Sequence, residues 1–159
     1  MVTSQALFEF RTTLRNPEQL LLTIVIPLVL LVALVSAQIV SLGEGRRVDL
    51  VTPGILALAV MSTAFTGLAI STGFNRRYGA LRFLGTTPLS RSALVVATFL
   101  AVLLTEAVQV ALISLVAYLL GWQPQGSWPM AIALLIAGTA AFSTWAIVLA
   151  GVLRAEATL

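Results

Sequence analysis

Glu106 is the one ionisable side chain set deep inside an apolar stretch, with Thr105 beside it and Gln109 one helical turn further on. A carboxyl and a carboxamide on one helix can do two kinds of work in a bilayer. They can form a polar point on a substrate or proton path, or they can tie neighbouring helices together by hydrogen bonds. The other five carboxylates, Glu9, Glu18, Glu44, Asp49 and Glu156, are scattered singly, so no pair is set for acid/base work and no cluster for a metal. His and Cys are absent, which removes imidazole bases, thiolate nucleophiles, disulfides and nearly every transition-metal site. All nine basic residues are Arg, so the Lys of a phosphate-cradling G-x-x-x-x-G-K-[ST] loop is missing. The expectation is a chain with no catalytic residue and no cofactor of its own.

The elements that carry Glu106 are membrane spans. Apolar residues make up 59% of the chain and charged ones 9%, against about 45–50% and about 25% in an average soluble domain. Residues 19–43, 50–75 and 107–153 contain no Asp, Glu, Lys or Arg, and each run reaches the roughly 20 residues that cross a bilayer as helix. Gly121-Trp122-Gln123-Pro124-Gln125-Gly126 breaks the last run into the end of one span and the whole of the next. The predicted fold is an all-α polytopic membrane bundle, one domain over 1–159, with spans at about 20–40, 51–74, 93–120 and 130–153. Pro27 predicts a kink in the first span. Ser62, Thr63, Thr66, Gly67, Ser71 and Gly73 suit the second to close packing inside the bundle. Val35-Ser36-Ala37 would satisfy a signal-peptidase site, but the apolar stretch is too long and its N-terminal flank too structured for a cleaved leader.

Before the first span, residues 3–15 place Leu7, Phe10 and Leu14 at helical spacing, with Phe8 at one edge and Glu9, Thr12 and Thr13 opposite. That pattern predicts an amphipathic helix lying in the membrane surface, the stem of Arg11 resting on apolar surface while its head reaches phosphate. Asn16-Pro17-Glu18 then starts a new helix: a capping side chain, a proline for the first position and a carboxylate for the positive end of the dipole. Arg11, Arg15, Arg76, Arg77, Arg82, Arg91 and Arg154 fall on one side of the four spans, and only Arg46 and Arg47 on the other. The rule that positive loops stay inside puts both termini and the 75–92 loop in the cytoplasm. Trp122, Trp128 and Tyr118 flank the opposite hairpin, as an aromatic belt would. A net charge of +3 is explained by this orientation and calls for no nucleic-acid partner.

Residues 75–92 form the most basic loop, without an acid. Asn75 can cap a short helix, Gly85 can close it and Pro88 prevents its continuation. About ten residues make less helix than is stable alone in water. Tyr78, Leu81 and Leu84 recur at steps of three inside a collar of Arg76, Arg77 and Arg82. Such a ridge suits a groove on a partner protein. It equally suits a basic loop that fixes topology and touches anionic lipid.

Four stretches, in this order, resemble the membrane subunits of ATP-binding-cassette type-two exporters, the group of daunorubicin-resistance-type and polysaccharide-export permeases. They are Arg15-Asn16-Pro17-Glu18, Val51-Thr52-Pro53-Gly54-Ile55-Leu56, Arg76 through Arg91, and Gly151-Val152-Leu153-Arg154. The resemblance implies a permease of the inner cell membrane whose segment 75–91 is a coupling helix seated in a groove of a separate ATPase subunit. Arg76, Arg77, Tyr78, Gly79, Leu81, Arg82, Phe83 and Leu84 would form that interface, and the helix bearing Phe8, Phe10, Arg11 and Arg15 would be the connecting helix pressed on the same ATPase. It further implies ATP and Mg on that partner, a second permease copy, and a drug, lipid or glycan-type cargo. Family members open the coupling loop with acids where this chain has Asn75 and Arg77. They also carry six spans, so the last two are expected elsewhere than in these residues.

Two readings from other classes stand beside it. One is a small proton-coupled multidrug antiporter, dimeric, with Glu106 as the shared proton and cation site. The other is a membrane scaffold that transports nothing.

Overall fold

The computed structural model describes residues 2–37, 45–67, 91–124 and 126–152, and their regular structure is all helical. Helix α1 covers Val2–Arg15. Helix α2 runs Pro17–Ser36, and α3 covers Arg47–Met61, continued by a π-helical stretch at Ser62–Gly67. Helix α4 covers Arg91–Leu119 and α5 covers Trp128–Val152. Each of α2 to α5 contains a stretch long and apolar enough to cross a membrane.

Local chemistry explains where these helices start and stop. The Asn16 side chain accepts from the Glu18 and Gln19 N–H groups at 3.1 and 3.3 Å, satisfying two of the donors that a helix start leaves open. The first span therefore begins at Pro17, ahead of the apolar run. Helix α3 likewise starts at Arg47, before the charge-free run that predicts a start at 51, and Pro53 falls inside it rather than at its opening. Its first turn carries Arg47 and Asp49, charges that favour a helix end outside hydrocarbon. At the end of α4, Gly121 takes a φ of +91°, a left-handed conformation that glycine adopts without a Cβ penalty. The Gly121 and Trp122 N–H groups fold back onto the carbonyls of Tyr118 and Ala117 and close the helix as a Schellman turn.

The spans pack around two apolar clusters. One joins Leu31 of α2, Val48, Val51, Ile55 and Ala59 of α3, and Ile113 and Ala117 of α4, with Trp122 against it. The second joins Ala64, Val102 and Ala146, flanked by Phe65 and Phe142. The order of these residues makes α3 run opposite to α4, and Thr139 against Glu106 with Ala146 near Val102 makes α5 do the same. Between the clusters lies a layer of buried polar side chains. At the Gly121 end, the Arg46 guanidinium donates to the Gly121 carbonyl, and the Asp49 carboxylate accepts from the Gln123 N–H at 3.0 Å. The start of α3 is thereby latched onto the α4–α5 turn.

Helix α1 packs chiefly against α4. Ala6 is its buried residue and Phe10 is half-buried, while Leu7, Phe8, Arg11 and Arg15 are exposed. The face covered by protein is thus centred on Ala6, with Phe10 and Leu14 at its edge and Leu7 of the apolar stripe left outside it. A small alanine lets the two backbones approach closely, and Leu7 and Phe8 point outward.

Candidate functional site

The polar layer is built around two π-helical stretches and one glutamine. In α2 the chain is π-helical over Leu21–Val25, with Ile26 between this stretch and Pro27. Pro27 has no N–H to offer the Thr23 carbonyl four residues back, and its ring would crowd that carbonyl in a regular helix. Widening the turn relieves the crowding. Gln109 Nε2 donates to this Thr23 carbonyl. Its Oε1 accepts from Thr63 Oγ1 at 2.8 Å, and Thr63 lies in the π-helical stretch of α3. Gln109, Thr23 and Thr63 are all buried. A carboxamide left unpaired in such surroundings would cost about 2–7 kcal/mol, so the two bonds make the burial tolerable.

Glu106, one turn before Gln109, reaches the fourth span. Its Oε2 accepts from Thr139 Oγ1 at 2.5 Å, and the same hydroxyl stands 2.8 Å from the Leu135 carbonyl. A hydroxyl has one hydrogen to give, so it serves the two oxygens in turn. When the carboxyl is protonated, its own O–H donates to Thr139 and both contacts are filled together. Glu106 Oε1 and Ser143 Oγ are buried without a partner among the described residues. Ser143 stands one turn beyond Thr139 on the same face of α5. Helix α4 is thus bonded to α2 and α3 through Gln109 and to α5 through Glu106.

Residues 6–158 match the family model described as ABC-2 type transporter. The chain belongs to that family. No curated protein and no solved structure matches it. It is therefore an ABC-2 type permease, a multi-pass membrane component of an ABC transporter, and its role is transport through the membrane rather than catalysis.

Of the residues singled out in the sequence of this permease, Glu106 and Gln109 occupy the polar layer at the centre of the bundle. Phe8, Phe10, Arg11 and Arg15 lie on α1, the helix that packs against α4; Phe10 is half-buried and the other three are exposed. Arg76, Arg77, Tyr78, Gly79, Leu81, Arg82, Phe83 and Leu84 lie outside the described residues. The sequence alone does not pair Thr23, Thr63 or Thr139 with Gln109 and Glu106. One signal was available for Thr23: a proline four residues downstream frees its carbonyl from regular helical pairing.

Proposed function

We propose that this permease is the membrane part of an ATP-driven exporter whose motor is a separate ATP-binding ABC subunit, coupled through segment 75–91 and helix α1. The supporting observation is the placement of α4. This helix starts at Arg91, where the coupling segment ends, packs against α1, and bonds all three other spans at Glu106 and Gln109. Glu106 lies about 22 Å along that rod from Arg91, at 1.5 Å per residue. A displacement of the segment is delivered by one rigid helix to the layer where the other helices are held. The protein contributes differential packing in two states rather than chemistry.

ATP and Mg sit on the partner subunit in this reading. Two permease copies line the pathway, and both termini of the chain face the cytoplasm, following the distribution of Arg. The cargo is an amphipathic drug, lipid or glycan-type molecule. Deleting 76–84, or replacing Tyr78→Asp, uncouples ATP hydrolysis from export in proteoliposomes that contain the permease and its co-purifying ATPase. Export at the wild-type rate in both variants would refute the coupling scheme.

A further inference from the structure

Among the described residues, Glu106 has no cationic neighbour in its own layer. No Arg or Lys occurs within Pro17–Ser36, Val95–Leu119 or Trp128–Ala146, and the single Arg of the α3 span, Arg47, stands at its first residue. A carboxyl in this position acquires a counter-ion from outside the fold or stays uncharged. Two buried polar atoms nearby, Glu106 Oε1 and Ser143 Oγ, have no partner among the described residues. Glu106 Oε1 belongs to the carboxyl that meets Thr139 at the α4–α5 seam, and Ser143 stands one turn beyond Thr139 on α5.

We propose that the Glu106–Thr139–Ser143 seam is the binding site for the protonated amine of an amphipathic cargo. The proposal rests on the permease reading above and names the class of molecule carried. An alkylammonium offers several N–H donors on one charged nitrogen, which matches a carboxylate with one open oxygen and the open hydroxyl oxygen of Ser143. A metal ion is a poorer fit, since hard cations take six or more oxygens and the seam supplies a carboxyl and two hydroxyls. The hydrocarbon part of such a molecule goes to the apolar side of the layer, displacing packing between Val102, Phe142 and Ala146. Charge complementarity between a lone buried carboxylate and an ammonium is strong where water is excluded.

The test is direct binding, without nucleotide, to the full chain with its co-purifying ATPase in lipid nanodiscs, against empty nanodiscs. The probes are a fluorescent dodecylammonium and the matching neutral dodecanol. Wild type binds the ammonium more tightly than the alcohol. Glu106→Gln keeps a hydrogen-bonding side chain but removes the charge, and it weakens ammonium binding by about 30-fold. Ser143→Ala weakens it by about threefold. The alcohol responds to neither change. An unchanged ammonium Kd in Glu106→Gln, or equal wild-type affinity for the two probes, would overturn the site.

A second measurement covers the case in which Glu106→Gln does not fold. Dicyclohexylcarbodiimide modifies carboxyl groups inside membranes. Mass spectrometry of wild-type protein should find the adduct on Glu106, suppressed by dodecylammonium and not by dodecanol. An adduct that forms equally with the ammonium present would sink the proposal. The two readings fail separately. ATP-independent transport with intact ammonium binding removes the motor scheme and leaves the site. ATP-driven export with binding indifferent to Glu106 removes the site and leaves the motor.

Discussion

Two sets of polar contacts hold α3 and α4 in place, and they sit in opposite environments. At the Gly121 end, Arg46 and Asp49 reach the Gly121 carbonyl and the Gln123 N–H in exposed positions. At the centre, Gln109 and Glu106 reach Thr23, Thr63 and Thr139 in a fully buried layer. Water can replace the first set almost without loss, because exposed ion pairs and hydrogen bonds compete with solvent on nearly equal terms. Nothing replaces the second set except other protein groups or a ligand. The same bond type thus fastens a loop at one level of the bundle, while at the other it decides which helix arrangements are accessible. A layer that can be satisfied in only a few ways is a natural place for a transporter to have two discrete packings.

The sharpest way to break this contrast is Gln109→Leu. It leaves the Thr63 hydroxyl and the Thr23 carbonyl without their shared partner, and it should destabilise the bundle by about 1–3 kcal/mol. SDS titration of the protein in bicelles measures the loss. The same change in a Pro27→Ala background sharpens the cause. Alanine at 27 restores an N–H that the Thr23 carbonyl can accept from, so Gln109→Leu should cost less there, by about 0.5–1 kcal/mol. Additive losses would show that the proline and the glutamine act independently.

The helices themselves were legible in the sequence because lipid imposes a simple requirement. A span must be apolar over a fixed length, and Asn16-Pro17 and Gly121 carry their own start and stop chemistry. The start of α3 was harder, because a helix can project beyond hydrocarbon with a polar first turn, and a charge-free run records only the hydrocarbon part. The central site was half legible. Glu106 and Gln109 stand out as polar groups in an apolar run, whereas their partners are threonines of a kind common in any span. Which threonine meets which helix depends on rotation and register, and those are set by packing. The seat of α1 shows the same limit: spacing marks Leu7, Phe10 and Leu14 as an apolar face for the membrane surface, and gives no sign that the helix buries Ala6 and packs against α4.

The loop end should yield less when altered, and the sizes of its effects mark the other side of the contrast. Gly121→Ala places a Cβ on a left-handed residue, at about 1–2 kcal/mol. The added carbon would also meet the guanidinium of Arg46, but that is the far end of a flexible side chain and can swing away. The loss should therefore be set by backbone strain, and Arg46→Ala should not rescue it. A rescue of more than about 0.5 kcal/mol would show the latch to be tighter than an exposed contact has reason to be.

The smallest effect belongs to Asp49→Asn. The carboxamide oxygen can still accept from the Gln123 N–H, so only the charge disappears. Two contributions of that charge have to be weighed. Asp49 lies in the first turn of α3, where a negative side chain interacts favourably with the helix dipole by about 0.3–1 kcal/mol at low ionic strength. The Gln123 bond gains little from the charge in an exposed position. The loss should stay near about 0.5 kcal/mol and should shrink as salt is raised, because the dipole term is screened within a Debye length of about 8–10 Å. A loss above about 1.5 kcal/mol, or one indifferent to salt, would mean that the Gly121 end is shielded from water in the assembled transporter. The distinction drawn between the two polar regions would then vanish, since both would be buried.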